Sequence, residues 1–252
     1  MNRITVVFLI LAVCLGFFIR NLRLSPRSLA SISLHDVELP NGKLVTLTFQ
    51  KGRLMGSNLK NARLKGNDVN GKSIDLQIID EGFDGKVATY TIEYRTSRGT
   101  WKKLCPDTAY LIDEIWEGRT NPAVGTTVVC ASSTLGKCLR WGYAPWETWE
   151  SHSLRPYFHA CVHMVRADYL GDGTSYTIDG VPIFFTDNLG INGGVAPDPM
   201  TLEATWDAQG AITVAHPRRR QKTPNAWAGQ IYHRPSLDRK LTPLLSSYSN
   251  ED

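Results

Sequence analysis

The chain has 252 residues, 42% of them apolar, enough to bury the core of one large or two small domains, which excludes a wholly disordered polypeptide. Its formal charge of +4 belongs to the N-terminus: residues 1–30 hold Arg3, Arg20, Arg23 and Arg27 and no acid, so 28 basic residues less these four leave 24 against 24 acids. A neutral body gives no electrostatic footprint for nucleic acid, and none is expected as a partner.

From Ile4 to Ile19 the chain runs without a charge (ITVVFLILAVCLGFFI), preceded by Arg3. This is the pattern of a signal-peptide core, and Ser28-Leu29-Ala30 supplies small residues for cleavage after Ala30. The same stretch, extended by snorkelling Arg20, can instead remain as a membrane anchor. The three arginines behind it argue against clean processing, and by the positive-inside rule they favour a cytoplasmic body, so cleaved signal and retained anchor both stay open. A lipoprotein site at Leu11-Ala12-Val13-Cys14 is a weaker reading than either, because Val stands in place of a small residue before the cysteine. The expected address is export, to the periplasm, cell surface or medium, with the membrane as a partner only through residues 4–19.

Beyond the leader the expected fold is α+β and β-rich, with antiparallel sheets and one main helix near 154–169. Residues 31–105 form a β-rich N-terminal part. Asn41-Gly42, Lys51-Gly52, Asn70-Gly71, Asp84-Gly85 and Arg98-Gly99 punctuate it as hairpin turns. Period-two alternation marks 43–50, 74–80 and 87–95 as strands, with Val45, Leu47, Phe49, Leu76 and Ile78 facing inward. Leu54, Leu59, Leu64 and Val69, five apart among Gly and Asn, form a ladder of very short strands or turns.

Residues 106–216 contain the helix, capped by Ser153 with Pro156 in its first turn. Leu154, Phe158, Cys161, Val165 and Tyr169 make one apolar stripe along it. Strands are expected over 126–131, 181–186, 202–206 and 211–215. After His216 the chain turns basic and polar, and 217–252 reads as a tail or surface-packed extension in which Arg218-Arg219-Arg220 is a solvated basic run.

Cys14 lies in the leader, which leaves Cys105, Cys130, Cys138 and Cys161, an even set suited to two disulfides in an oxidising compartment. Free buried thiols are the alternative; the spacings do not match a structural zinc site, and neither metal nor cofactor is expected. Sequence cannot select among three pairings. The turn at 132–136 favours Cys130 with Cys138, and a link between the halves favours Cys105 with Cys161.

Gly66-Asn67-Asp68-Val69-Asn70-Gly71-Lys72-Ser73 matches the phosphate-loop pattern letter for letter. That loop needs a buried strand before it and a helix after it, whereas here a hairpin turn leads into a strand. His159 and His163, four apart on the helix and sharing a face with Arg166, could bind a metal or orient an anion. Arg166 would repel a cation, and a core position is the simpler reading. Asp168-Tyr169-Leu170-Gly171-Asp172-Gly173-Thr174-Ser175 offers carboxylates to calcium, with Asp179 and Asp187 further on, but lacks the order of a calcium loop and reads as a turn. Candidate catalytic groups are therefore His159, His163, Asp168 and Asp172, with no nucleophile elbow, zinc motif or dinucleotide glycine pattern to support them.

Lys137-Cys138-Leu139-Arg140-Trp141-Gly142-Tyr143-Ala144-Pro145-Trp146, with His159-Ala160-Cys161-Val162-His163-Met164-Val165-Arg166-Ala167-Asp168-Tyr169-Leu170-Gly171-Asp172-Gly173, resembles the ADYC-domain proteins, a group of exported bacterial proteins. The likeness extends upstream through the leucine ladder and Trp101-Lys102-Lys103-Leu104-Cys105, and downstream through Glu203-Ala204-Thr205-Trp206. The resemblance places the family's name-giving cysteine at Leu170 and another at Thr213. Loss of both fits two cysteines once bonded together, leaving four for two bridges; were the missing cysteine catalytic, this member would be inactive. The resemblance implies address and fold and no activity. The expected function is a non-enzymatic envelope or secreted binding or structural module, meeting an envelope protein, glycan or anionic surface through Trp141, Tyr143, Trp146 and Trp149. The alternative is an envelope hydrolase using the His and Asp groups of 159–172.

Overall fold

The computed structural model describes residues 32–45, 48–56, 59–68, 71–115, 123–177, 180–218, 232–233 and 242–250. The leader at 4–19, Val69, Asn70, Asp179, Arg219 and Arg220 lie outside them. Among the described residues no helix is long and apolar enough to cross a membrane.

In chain order the N-terminal part runs β1 (Ile32–Glu38), β2 (Leu44–Val45), the small hairpin β3 (Phe49–Gln50) and β4 (Arg53–Leu54), β5 (Arg63–Asn67), β6 (Ser73–Asp84), β7 (Val87–Arg95), β8 (Trp101–Lys103), β9 (Ala109–Ile115) and β10 (Ala123–Cys130). The eight-stranded sheet has the order β10-β9-β7-β6-β5-β1-β2, with β8 on β7, and β10 pairs back onto β1. Strands β1, β5, β6, β7, β9 and β10 thus close into an antiparallel barrel, a solution that removes the exposed sheet edges. Inward alternation fills it with Leu34, Leu64, Leu76, Ile78, Tyr90, Ile92, Leu111 and Val128. The hairpin β3–β4 is held to the barrel by Leu54, whose N–H donates to the Tyr90 hydroxyl at 2.9 Å. Leu54, Leu59 and Leu64 of the ladder are all buried, and Phe49 is half-buried.

The phosphate-loop match lies where β5 turns into β6: Asp68 N–H donates to Lys72 O and Gly71 N–H to Asp68 O. Strand, tight turn and strand leave no helix start to bind a phosphate.

The rest of the chain forms α1 (Thr134–Arg140), β11 (Thr148–Trp149), β12 (His152–Ser153), α2 (Arg155–Arg166), β13 (Phe184–Asp187), β14 (Thr201–Asp207), β15 (Gly210–Val214), β16 (Tyr232–His233) and β17 (Leu245–Ser249). A second antiparallel sheet has the order β13-β17-β14-β15-β16. Strand β17 sits inside it, paired to β13 on one side and to β14 on the other. The expectation of a tail over 217–252 is corrected by that strand: Leu245, Ser247 and Ser249 are buried, so the C-terminus supplies an interior strand.

Helix α2 lies between this sheet and the outer face of the barrel. Tyr110, Ile112 and Val129 share its core, whereas their neighbours Leu111 and Val128 face into the barrel. Covered on both sides, α2 buries every residue from Tyr157 to Met164 instead of one stripe, and Val165 is only half-buried. Its N-cap is Leu154 and not Ser153, with no side-chain cap bond.

Residues 132–136, read as a turn, belong largely to α1. Ser133 caps it, accepting from Gly136 N–H at 3.2 Å while its Oγ donates to Cys130 O at 2.6 Å. Gly136 is required there, because a Cβ would come within 2.2 Å of Cys130 O. The four body cysteines form two disulfides, but the pairing differs from that favoured by spacing: Cys105 joins Cys130, and Cys138 joins Cys161. The first ties the loop after β8 to the end of β10, and the second ties α1 to α2. No bridge runs from Cys105 to Cys161, because the barrel wall and helix pair are each closed locally.

Candidate functional site

Three of the four candidate catalytic groups, His163, Asp168 and Asp172, lie at or just past the C-terminal end of α2, so the helix terminus sets their geometry. Ala167 takes the left-handed conformation (φ 51°). Asp168 N–H donates to His163 O at 2.8 Å and Ala167 N–H to Met164 O at 3.0 Å. These are the two bonds of a Schellman termination, here with Ala where Gly is usual. The turn brings the Asp168 side chain back beneath the helix, where Oδ2 lies 3.0 Å from His163 Nδ1 and accepts the Gly173 N–H at 2.9 Å. His163 and Asp168 are 0% and 1% exposed. Of the four candidates, the fold therefore joins two, and it seals them in the core.

The others stand apart from that pair's chemistry. His159 is buried beside Phe158, ring centroids 6.0 Å apart. Asp172 is exposed and accepts the Thr174 N–H at 2.8 Å, a local turn bond. Arg166 donates through Nη2 to Gly173 O and fastens the 168–173 loop to the helix. Asp187 is similarly committed: its carboxylate accepts from the Tyr143 hydroxyl at 2.7 Å and from Leu189, Ile191 and Asn192 N–H groups. Asp168 and Asp187 hold loops.

A second network, unforeseen in the sequence, completes the helix end. Arg218 Nε donates to both Glu203 oxygens, at 2.8 and 2.9 Å. Its Nη2 donates to Met164 O, which also accepts the Ala167 N–H, and its Nη1 to Val165 O, so the guanidinium covers the last carbonyls of the helix. The Tyr169 hydroxyl donates to Glu203 Oε1 at 2.8 Å and accepts Arg218 N–H at 2.7 Å. Burial, then the adjacent Glu203 charge, push the Tyr169 pKa well above the ordinary phenol value. Glu203 is 0% and Arg218 3% exposed. The first arginine of the basic run is thus corrected from a solvated residue to a buried one, because a helix C-terminus and a carboxylate both attract it. Glu203 was hidden by a bulge between Leu202 and Ala204, which puts Glu203 and Ala204 inside together and breaks the alternation.

Of the aromatics expected at a binding surface, Tyr143 is buried and Trp141 packs on Phe185 at 4.7 Å. Half-buried Trp146 covers Gly52, where a Cβ would meet its ring at 2.2 Å. Trp149, on β11, is 43% exposed. Among the described residues one group has metal-holding spacing, Cys105, Asp107 and Cys130, with both sulfurs in a disulfide.

The family model for the ADYC domain matches residues 56–220, well over half of the chain, and the chain belongs to the ADYC-domain family. No curated protein and no solved structure matches it. The matched span runs from the barrel through α2 to Arg219-Arg220 and takes in Asp168 and Tyr169, each anchoring the end of the helix. The two disulfides are compatible with an exported protein.

Proposed function

We propose that this chain is an exported, disulfide-stapled module that acts by binding or scaffolding at the cell envelope or outside the cell, and that it performs no catalysis. The observation that carries this reading is the sealing of His163 and Asp168, at 0% and 1% exposure. A general base must reach substrate and water. Here the imidazole and carboxylate are packed under α2, and their hydrogen bonds close a turn. A hydrolase built on His159, His163, Asp168 and Asp172 would need a concavity joining them, whereas His163 and Asp168 are closed off from solvent. The charged and polar groups at the helix end serve the fold, which leaves the surface for partners.

On that surface Trp149 is the large aromatic offered by its own two-stranded hairpin, opposite His152. Aromatic anchors of this kind supply much of an interface's energy. An envelope protein, a glycan and an anionic surface remain the classes of partner. Two measurements test the reading. A periplasm-active reporter fused after Lys60 should be active and a cytoplasm-active one silent; the opposite pattern ends the export reading. Purified chain should be retained on isolated bacterial envelopes, with Trp149→Ala cutting retention about tenfold at unchanged melting temperature. Turnover of any ester, amide or glycoside by the wild type, lost in a folded His163→Gln variant, would overturn the non-enzymatic reading.

A further inference from the structure

The two disulfides differ in their surroundings. Cys138 and Cys161 are both 0% exposed between α1 and α2. Cys105 is 4% exposed, Cys130 is half-buried, and the exposed Asp107 stands beside them. The sulfurs of Cys105 and Cys130 and a carboxylate oxygen of Asp107 all lie within 4.8 Å of one another.

Backbone bonds that do not depend on the sulfur link hold this arrangement. Leu104 N–H donates to Ile92 O at 2.8 Å, and Ala131 N–H donates to Thr108 O at 2.8 Å. Cys130 is in register with Ala109 across β9 and β10. Its carbonyl accepts from Ser133 N–H and Oγ–H at 2.9 and 2.6 Å. Opening the bridge therefore leaves both cysteine backbones in place, with Cα atoms 5.3 Å apart. Two thiolates and one carboxylate on a fixed frame, open to water on the Asp107 side, match the three-ligand, one-water set that zinc accepts.

The geometry points to a redox-gated site for a thiophilic divalent cation at Cys105, Cys130 and Asp107. A dithiol opens the bridge by exchange: it is oxidised to its own disulfide, and its two electrons and two protons convert the protein disulfide to two thiols. Each thiol releases its proton as its sulfur binds the cation, and Asp107 contributes an oxygen. The oxidised protein offers the carboxylate alone and does not hold the metal.

The test uses the full-length chain, a phosphine reductant and zinc ion alone, with affinity read by competition against a chromophoric chelator. Peptide mapping after alkylation should find Cys105 and Cys130 modified before Cys138 and Cys161. The reduced chain should take up one equivalent of zinc and the oxidised chain none under the same competition. Asp107→Asn should weaken binding at least tenfold, and Cys105→Ser/Cys130→Ser should abolish it while circular dichroism still reports a folded protein. The site is refuted if the reduced chain takes up no zinc, if Asp107→Asn binds as tightly as wild type, if the buried bridge opens first, or if the double serine variant fails to fold.

Discussion

At the scale of single residues, the end of α2 is held by groups that would be liabilities alone. Glu203 and Arg218 are taken out of water together, and the attraction between them offsets desolvation only because Tyr169 and the carbonyls of Met164 and Val165 satisfy their remaining valences. Arg218→Met leaves the Glu203 carboxylate buried without its partner, and urea unfolding should show a loss of about 3–5 kcal/mol. The double change Arg218→Met/Glu203→Gln should recover part of it, since the stranded charge is gone. Tyrosines give a pH expectation. Desolvation is the first cause raising the pKa values of Tyr90, Tyr110, Tyr143, Tyr157 and Tyr169 above the ordinary phenol value of about 10. A phenol whose folded pKa lies above its unfolded value contributes stability that is complete below the unfolded value and is lost as pH rises past it. Stability should therefore fall once pH exceeds about 10, and tyrosinate absorbance from these five should appear together with loss of near-ultraviolet circular dichroism. Stepwise ionisation in a still-folded protein would show that their burial is weaker than described.

Among the elements, α1 shows how a close approach can outweigh propensity. Glycine inside a helix costs about 1 kcal/mol relative to alanine, so Thr134–Arg140 does not read as helical. The fold tolerates this because α1 starts against the end of β10, with the Gly136 Cα facing Cys130 O and Ala131. Gly136→Ala, which would stabilise a free helix, should here destabilise by about 1–3 kcal/mol, measured as a lower urea midpoint. Its neighbour Cys138 carries the bridge to Cys161. Loops of 23 and 25 residues give about 3.5 kcal/mol for each disulfide on the chain-entropy estimate, so Cys161→Ser and Cys130→Ser should cost similar amounts. The pairing expected from spacing, Cys130 with Cys138 and Cys105 with Cys161, would close one short and one long loop. It failed because α1 replaces the turn and carries Cys138 round to face α2.

Over the whole molecule, β9 and β10 serve two cores at once, with Leu111 and Val128 facing the barrel and Tyr110, Ile112 and Val129 facing α2. A wall shared in this way couples the barrel to the helix-and-sheet layer. Substitutions in either core, Leu76→Ala or Phe158→Ala, should therefore shift one common unfolding transition seen by both fluorescence and circular dichroism. The C-terminal strand closes the second sheet, and Trp206 donates its indole N–H to Ser247 at 2.9 Å. A chain truncated after Leu241 should lose the folded signature of Trp206 and behave as a partly unfolded species. Retention of native fluorescence would show that β17 is dispensable.

The sequence by itself determined the β-rich class, most hairpin turns of the first half, the strand-turn-strand identity of the phosphate-loop match, the position of α2 and the presence of two disulfides. Those features rest on local information: alternation, Asn-Gly and Asp-Gly turns, helical spacing and cysteine parity. The tertiary structure alone decided the closure of β10 onto β1, the disulfide partners, the placement of β17 between β13 and β14, and the burial of Glu203 with Arg218. Each depends on which distant segments meet. An arginine in a basic run reads as solvated until a helix end and a carboxylate arrive beside it, and a polar strand reads as a tail until both of its edges are paired.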